Sequence, residues 1–146
     1  TLIELMAVVA IIAVMVAVAI PKFLGTLTQA KNARAISEIA TINQAVMQYR
    51  VAHHGTLPAA MSDLVPEYLT VALIDPWGEP YVYNNFDHIT PGERRKDGPL
   101  VPINREYDIF SSGANRLTTP NIRSAPAQDD IIFANDGDFI NLSTEY

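Results

Sequence analysis

The chain begins with TLIELMAVVAIIAVMVAVAIPKF (residues 1–23), in which one acidic residue, Glu4, precedes an apolar run that carries no charge until Lys22. With the apolar residues at both ends, the stretch from residue 2 to residue 24 is just long enough to cross a bilayer. A charge in hydrocarbon is costly unless it is paired or neutralised. Glu4 therefore needs a partner, and no neighbouring residue in the chain supplies one.

Two ordinary explanations of an apolar amino-terminal run fit this stretch poorly. A secretory signal peptide has a basic region, a shorter apolar run and a small-residue cleavage site. Here no basic residue precedes the run, and Pro21-Lys22-Phe23 offers no such site. A plain membrane anchor would not ordinarily tolerate Glu4, although an anchored binding module or enzyme stays as an alternative.

The helical pattern continues beyond the apolar run and becomes amphipathic from Thr26 to Ala52. Apolar residues recur there at spacings of four and three, which places them on one helix face: Ala35, Ile39, Ile42, Val46 and Tyr49. We predict one helix from Thr1 to about Ala52, roughly 80 Å long, ended by Gly55 in a left-handed cap. A small domain cannot bury such a helix, so its first half is expected to protrude and pack on something else.

Pro21 lies inside this predicted helix. Proline lacks the amide that would bond Ala17, and its ring crowds the preceding turn. We therefore expect a kink or local melting near Ala17–Pro21.

The rest of the chain reads as short elements separated by turns. A short helix is predicted between residues 57 and 66, and Trp77 is expected to fill a small core from a turn. The predicted strands are Tyr81–Asn84, Glu106–Ser111, Ile131–Ala134 and Asp138–Leu142, with an Asn135-Asp136-Gly137 turn between the last two. Residues 87–102 and 113–128 are predicted to be loops.

These elements predict an α+β fold in which a long amino-terminal helix packs on a small antiparallel sheet. The predicted organisation has three parts. Residues 1–25 form an apolar half-helix for a membrane or filament core, residues 26–54 form an amphipathic half-helix, and residues 55–146 form a globular head with a loop-rich carboxyl-terminal region.

Composition excludes several function classes. A net charge of −6 argues against a nucleic-acid binder, and the absence of cysteine excludes disulfides, thiol catalysis and zinc–thiolate sites. Adjacent His53 and His54 cannot face one site from a helix, and no phosphate-binding loop or nucleophile motif is present. Arg94-Arg95-Lys96 is flanked by Glu93 and Asp97 and is interpreted as a solvated loop. We therefore expect no enzymatic activity.

Oxygen-bearing residues at the two ends of the 113–128 loop form a weak metal candidate. Residues 111–115 begin this loop and Gln128-Asp129-Asp130 ends it. Calcium takes about six to eight oxygen ligands, and a bound ion would fix a loop that is otherwise costly to order. Spacing alone makes this a weak signal.

TLIEL, the uncharged run, the Ala19-Ile20-Pro21 sequence and the amphipathic continuation together resemble the type IV pilin superfamily, which includes type IV pilins and the pseudopilins of type II secretion. This similarity covers about the first 50 residues. Two later segments, DPWGEPYVY (residues 75–83) and DIFSSGA (residues 108–114), resemble segments of the major pseudopilin. The resemblance thus extends, with gaps, over most of the chain.

The resemblance implies a pilin-like fold and a structural role in a helical filament. Such subunits wait in the inner membrane, where a prepilin peptidase removes a leader and methylates the new amino terminus, and the assembly machinery then builds a periplasmic or extracellular homo-oligomeric filament. In the core of this filament, the family's early glutamate neutralises the terminal amine of a neighbouring subunit. Carried over, this role falls on Glu4, with Thr1 next to the amine and Pro21 at the weak point of the helix.

Three departures from the family pattern qualify these expectations. Family members usually begin with Phe ahead of the Thr; either such a residue precedes Thr1 or cleavage is unusual, and we expect the former. Ala13 stands where family helices often have Gly, so any melted segment in a filament should be shorter and centred near Pro21. The calcium ligands implied by the resemblance would be Asn115, Gln128 or Asp129, Asp130, and the backbone carbonyl of Ser112.

A type IV pilin of a surface pilus, serving adhesion or motility, is the alternative within the superfamily. Many such pilins close a carboxyl-terminal loop with a disulfide, and this chain has no cysteine. That absence and the DPWGEPYVY segment favour the secretion-type subunit.

Overall fold

The computed structural model describes all residues from 1 to 146, which divide into two compact units, residues 1–31 and residues 32–146. One helix, α1 (Leu2–Ala52), makes up nearly the whole of the first unit and continues into the second. It ends where His54 and Gly55 adopt positive φ angles of 56° and 96°, as expected for a left-handed carboxyl-terminal cap. The predicted long helix is therefore confirmed.

Helix α1 runs without interruption through Pro21. The local melting that we expected near Ala17–Pro21 is absent from this single chain. A proline inside a helix removes one backbone hydrogen bond, and here helix-compatible residues continue on both sides of it. Melting within an assembled filament stays a prediction.

In the second unit, α1 packs on a four-stranded antiparallel sheet with the spatial order β1-β4-β5-β6. Its strands are β1 (Val82–Asn85), β4 (Tyr107–Ser111), β5 (Ile131–Ala134) and β6 (Phe139–Leu142). The register pairs Tyr83 with Ile109 and Ile131 with Leu142. The α+β fold class is confirmed, and the predicted strands lie within one or two residues of the observed ones.

The core lies between α1 and one face of the sheet. The helix contributes the buried residues Ala35, Ile39, Ile42, Ala45 and Val46, and the sheet contributes Tyr83, Tyr107, Ile109, Ile131 and Phe133. Tyr49 and Trp77 are half-buried and pack against this core. The helix stripe predicted from sequence is thus the face that packs, because burying apolar area is the main driving force of folding.

Two short elements differ from their predictions. The segment expected to form a short helix contains only a four-residue 3-10 helix, Met61–Leu64, since prolines on both sides leave little room for a longer one. The 87–102 segment, predicted to be a loop, contains a small antiparallel ribbon of β2 (Lys96–Asp97) and β3 (Val101–Pro102). Strands this short leave almost no alternation in the sequence from which to predict them.

Candidate functional site

The first unit is an apolar surface without a covering. Every residue from position 1 to position 30 is exposed, and the branched or long apolar side chains among them include Ile3, Ile11, Val14, Met15 and Phe23. By length and composition, α1 is long and apolar enough to cross a membrane. An apolar surface of this size marks a site of contact with lipid or protein.

Thr1 and Glu4 lie together at the start of this unit. The terminal amine of Thr1 contacts the Glu4 carboxylate, so the expectation that no neighbouring residue supplies a partner is wrong for the single chain; the two side chains are 73% and 76% exposed. An ion pair in such solvent-exposed surroundings adds little stability. Contact between Glu4 and the amine of another subunit stays a prediction, because only one copy of the chain is present.

Asp75 organises the DPWGEP turn and joins it to β4. Its buried carboxylate accepts hydrogen bonds from the backbone amides of Trp77 at 3.0 Å and Glu79 at 2.9 Å, and from the Ser111 hydroxyl at 2.5 Å. Gly78 supplies the positive φ of 97° that the turn requires. The two later segments that carry the family resemblance, residues 75–83 and 108–114, therefore form one hydrogen-bonded structure.

The structure brings the two ends of the 113–128 loop together. Gly113, at φ 66°, lies so close to the Asp129 carbonyl that an added Cβ would stand 2.2 Å from its oxygen. Asn115 donates its backbone amide to the Asp129 carboxylate at 2.8 Å and its side-chain amide to the Pro126 carbonyl at 3.0 Å. The contact depends on a residue without a side chain, so Gly113 is required here.

Of the five residues proposed to hold calcium, Asn115 and Asp129 are in direct contact through the Asn115 backbone amide. Asn115 already accepts a hydrogen bond from the Leu117 amide through its side-chain oxygen, at 2.6 Å. Gln128 is exposed and Ser112 is half-buried. Asp129 and Asp130 each keep one buried carboxylate oxygen without a hydrogen-bond partner, and these two atoms are the feature that favours a cation.

A different cation already contacts Asp130. The guanidinium of Arg95, whose side chain is 2% exposed, forms an ion pair with the fully buried Asp130 carboxylate. It also donates to the Thr118 hydroxyl at 2.5 Å and to the Thr119 carbonyl at 2.8 Å, and it lies 4.3 Å from the centre of the Phe110 ring. Burial raises the pKa of Asp130, an effect that Arg95 and the Thr118 hydroxyl oppose.

A second buried carboxylate, Asp108 on β4, supports the backbone of the same arginine. Asp108 accepts the Arg95 backbone amide at 2.7 Å and the Asn104 side-chain amide at 2.8 Å. Burial raises the pKa of Asp108 to about 6, while these donors and the positive charge of Arg95 act in the opposite direction. The carboxylate and its donors fix the chain direction at the start of the β2–β3 ribbon.

The donor set fits a divalent calcium poorly. The Asp129 carboxylate contacts Asn115, and a divalent ion shared with Asp130 would lie beside the positive charge of Arg95. Calcium takes several oxygen ligands, and the carboxylates that this loop offers are those of Asp129 and Asp130, the second of which is already paired with Arg95. Calcium binding by this loop stays an untested prediction.

Arg95 is the residue that sequence reasoning placed wrongly, since the Arg94-Arg95-Lys96 segment was interpreted as solvated. The structure buries Arg95 almost completely, because the buried Asp130 carboxylate needs a positive partner. A signal for this was present in the sequence. Asp108 interrupts an apolar strand, and Asp130 immediately precedes another.

A long apolar amino-terminal helix packed on a small antiparallel sheet is the arrangement of a pilin-like protein. The chain is 28% identical over 137 aligned positions to type II secretion system core protein G of Escherichia coli (strain K12), and the alignment covers 80% of this chain and 91% of that protein. This finding confirms the resemblance inferred from the sequence. No family model matches the chain, and no solved structure matches it.

Proposed function

We propose that this chain is a structural subunit of a helical filament, of the major-pseudopilin type. The similarity to type II secretion system core protein G, which extends over 91% of that protein, carries the proposal. The exposed apolar helix supports it, because such a surface suits both a bilayer and the core of a filament. A structural role requires no catalytic residues.

Assembly would transfer the apolar half of α1 from lipid to a protein core formed by copies of the same chain. In lipid this half is already removed from water, so packing between helices rather than expulsion of water would favour the filament. Glu4 would then meet the terminal amine of a neighbouring subunit. In surroundings of low dielectric an opposite charge matters more than it does in water, since an unpaired carboxylate there is costly.

The family resemblance supplies the remaining partners in this proposal. A prepilin peptidase would process and methylate the subunit in the inner membrane, and an assembly machinery would extend the filament into the periplasm or beyond the cell. The DPWGEPYVY segment and the absence of cysteine favour a secretion-type subunit over a surface pilin.

Electron microscopy of sheared cells tests this function. The full chain, preceded by a cleavable leader, is overexpressed together with a type II secretion assembly machinery. We expect helical filaments that contain the chain, and we expect Glu4→Ala to abolish them because the amine of the neighbouring subunit loses its partner.

Glu67→Ala is the matched control, since Glu67 is an exposed acidic residue of the second unit and its removal should leave assembly unchanged. Absence of filaments from the unaltered chain would contradict the proposed function. Normal filaments from Glu4→Ala would contradict the charge pairing alone. If a variant that forms no filaments still supports protein secretion, the chain is a surface pilin and not a secretion-type subunit.

A further inference from the structure

We propose that Arg95 is the cation that fixes the 113–128 loop, and that it takes the place of the bound calcium that the family resemblance implies. The loop would then reach its folded state without a divalent ion. The inference concerns the fold of the single chain, so it does not depend on filament formation.

The contacts of Arg95 join the middle and the end of the loop to β4. Its guanidinium binds Asp130 at the end of the loop and Thr118 and Thr119 in the middle of it. Its backbone amide binds Asp108 on β4. One side chain thus holds the middle and the end of the loop to the sheet, which is how a bound ion would act on them.

Geometry and charge make this arrangement specific to arginine. The planar guanidinium lies over the Phe110 ring and presents donors in two directions, to Asp130 and to the loop. A lysine ammonium is a compact point charge and cannot reproduce both the stacking and the fork of donors. Arg95 also supplies the positive charge that buried Asp130 needs.

The backbone around Arg95 continues the connection into the β2–β3 ribbon. The next residue, Lys96, donates its amide to the Pro120 carbonyl at 2.9 Å and accepts the Ile122 amide at 3.1 Å. The loop therefore forms backbone hydrogen bonds with Lys96, and its Thr118 and Thr119 accept hydrogen bonds from the Arg95 guanidinium. Removing the guanidinium should release the loop and leave the α1–sheet core folded.

Calcium dependence of the unaltered full chain in detergent micelles is the first test. The chain is unfolded thermally in excess EDTA and in millimolar CaCl2, and terbium luminescence probes direct binding of an ion. We expect the two unfolding midpoints to agree within about 2 °C and terbium to give no saturable signal. An unfolding midpoint that is more than about 2 °C higher in CaCl2 than in EDTA would overturn the proposal. Saturable terbium binding that calcium displaces would also overturn it.

Trypsin cleavage after Arg116, in the exposed part of the loop, is the second test. In Arg95→Met we expect this cleavage to be about tenfold faster than in the unaltered chain, since local opening governs proteolysis. The control is Arg94→Met. Arg94 also lies over a phenyl ring, that of Phe86 at 4.6 Å, but its guanidinium donates to the Phe86 carbonyl at 3.4 Å and is in no ion pair.

Equal cleavage rates in the two variants would overturn the role of Arg95. Failure of Arg95→Met to fold, with Arg94→Met folded, would support that role, and the calcium measurements on the unaltered chain would still decide whether a metal is needed.

Discussion

At the scale of single residues, the buried carboxylates of the head show how charge is placed in this protein. Asp75, Asp108 and Asp130 are each at most 3% exposed. Asp75 and Asp108 accept hydrogen bonds, and Asp130 forms an ion pair with Arg95. An unpartnered buried charge would cost several kcal/mol. The three residues therefore connect segments distant in sequence: Asp75 with β4, Asp108 with the β2–β3 ribbon, and Asp130 with Arg95.

Asp108 should make stability depend on pH. Its pKa is raised to about 6 in the folded protein from an ordinary value of 3.8. Between these values the folded state binds more protons than the unfolded state, so the contribution of Asp108 to the free energy of unfolding falls as pH rises from about 4 to about 6. We expect Asp108→Asn to flatten this fall in urea titrations of the full chain.

At neutral pH the same variant should be less stable, by about 1–3 kcal/mol, because the asparagine NH2 group would face the donor groups of Arg95 or Asn104. The control is Asp87→Asn, because Asp87 is exposed. This substitution should change neither the pH dependence of stability nor the free energy of unfolding at neutral pH. An unaltered pH slope in Asp108→Asn would show that Asp108 does not titrate in this range.

At the scale of elements, α1 has two surfaces of different character within one continuous helix. Residues 2–30 are exposed all round, whereas further along the helix a stripe from Ala35 to Val46 is buried against the sheet. Helix propensity does not account for the difference, because the first half, rich in Val and Ile of only middling propensity, is as helical as the second. The spacing of polar residues does distinguish them, since only the second half is amphipathic.

Truncation on the buried stripe should destabilise the second unit. Ile42 is fully buried, so Ile42→Ala should lower the free energy of unfolding by about 2–5 kcal/mol through lost burial and a residual cavity. Urea unfolding followed by the fluorescence of Trp77, the single tryptophan, measures this. Val51→Ala on the same helix changes a side chain that is 83% exposed and should shift the result by no more than about 0.5 kcal/mol.

At the scale of the whole molecule, the chain combines a unit whose apolar surface is uncovered with a unit that has its own core. The second unit contains the sheet, the DPWGEP turn and the loop held by Arg95. The first unit has no buried residue, so in water its folded form would expose apolar surface without compensation. This division is consistent with a subunit whose first part is covered only by lipid or by other copies.

Assembly into a filament should alter α1 near Pro21, although the helix is continuous there in the single chain. The backbone of this turn already lacks one hydrogen bond, so close packing of neighbouring helices would open it at the least cost. A filament reconstruction by electron cryomicroscopy should show a short non-helical segment centred near Pro21, and Pro21→Ala should restore helix. Unbroken helical bonding through Ala17–Pro21 in the unaltered filament would contradict this prediction.

The long helix, its packing stripe and the main strands could be predicted from sequence because each rests on a periodic pattern. The stripe from Ala35 to Tyr49 repeats at helical spacing, and Ile131–Ala134 is a short apolar run bounded by polar turns. The β2–β3 ribbon could not be predicted, since two-residue strands have no period. Which carboxylates meet which cation could not be predicted either.

Local patterns of polarity in the sequence are enough to predict an apolar amino-terminal helix with an acidic residue at its head, an amphipathic continuation and a small antiparallel sheet. The burial of Arg95 and the meeting of the ends of the 113–128 loop at Gly113 are visible only in the folded chain. Both depend on contacts between segments far apart in the chain, where desolvation and charge pairing select the partners.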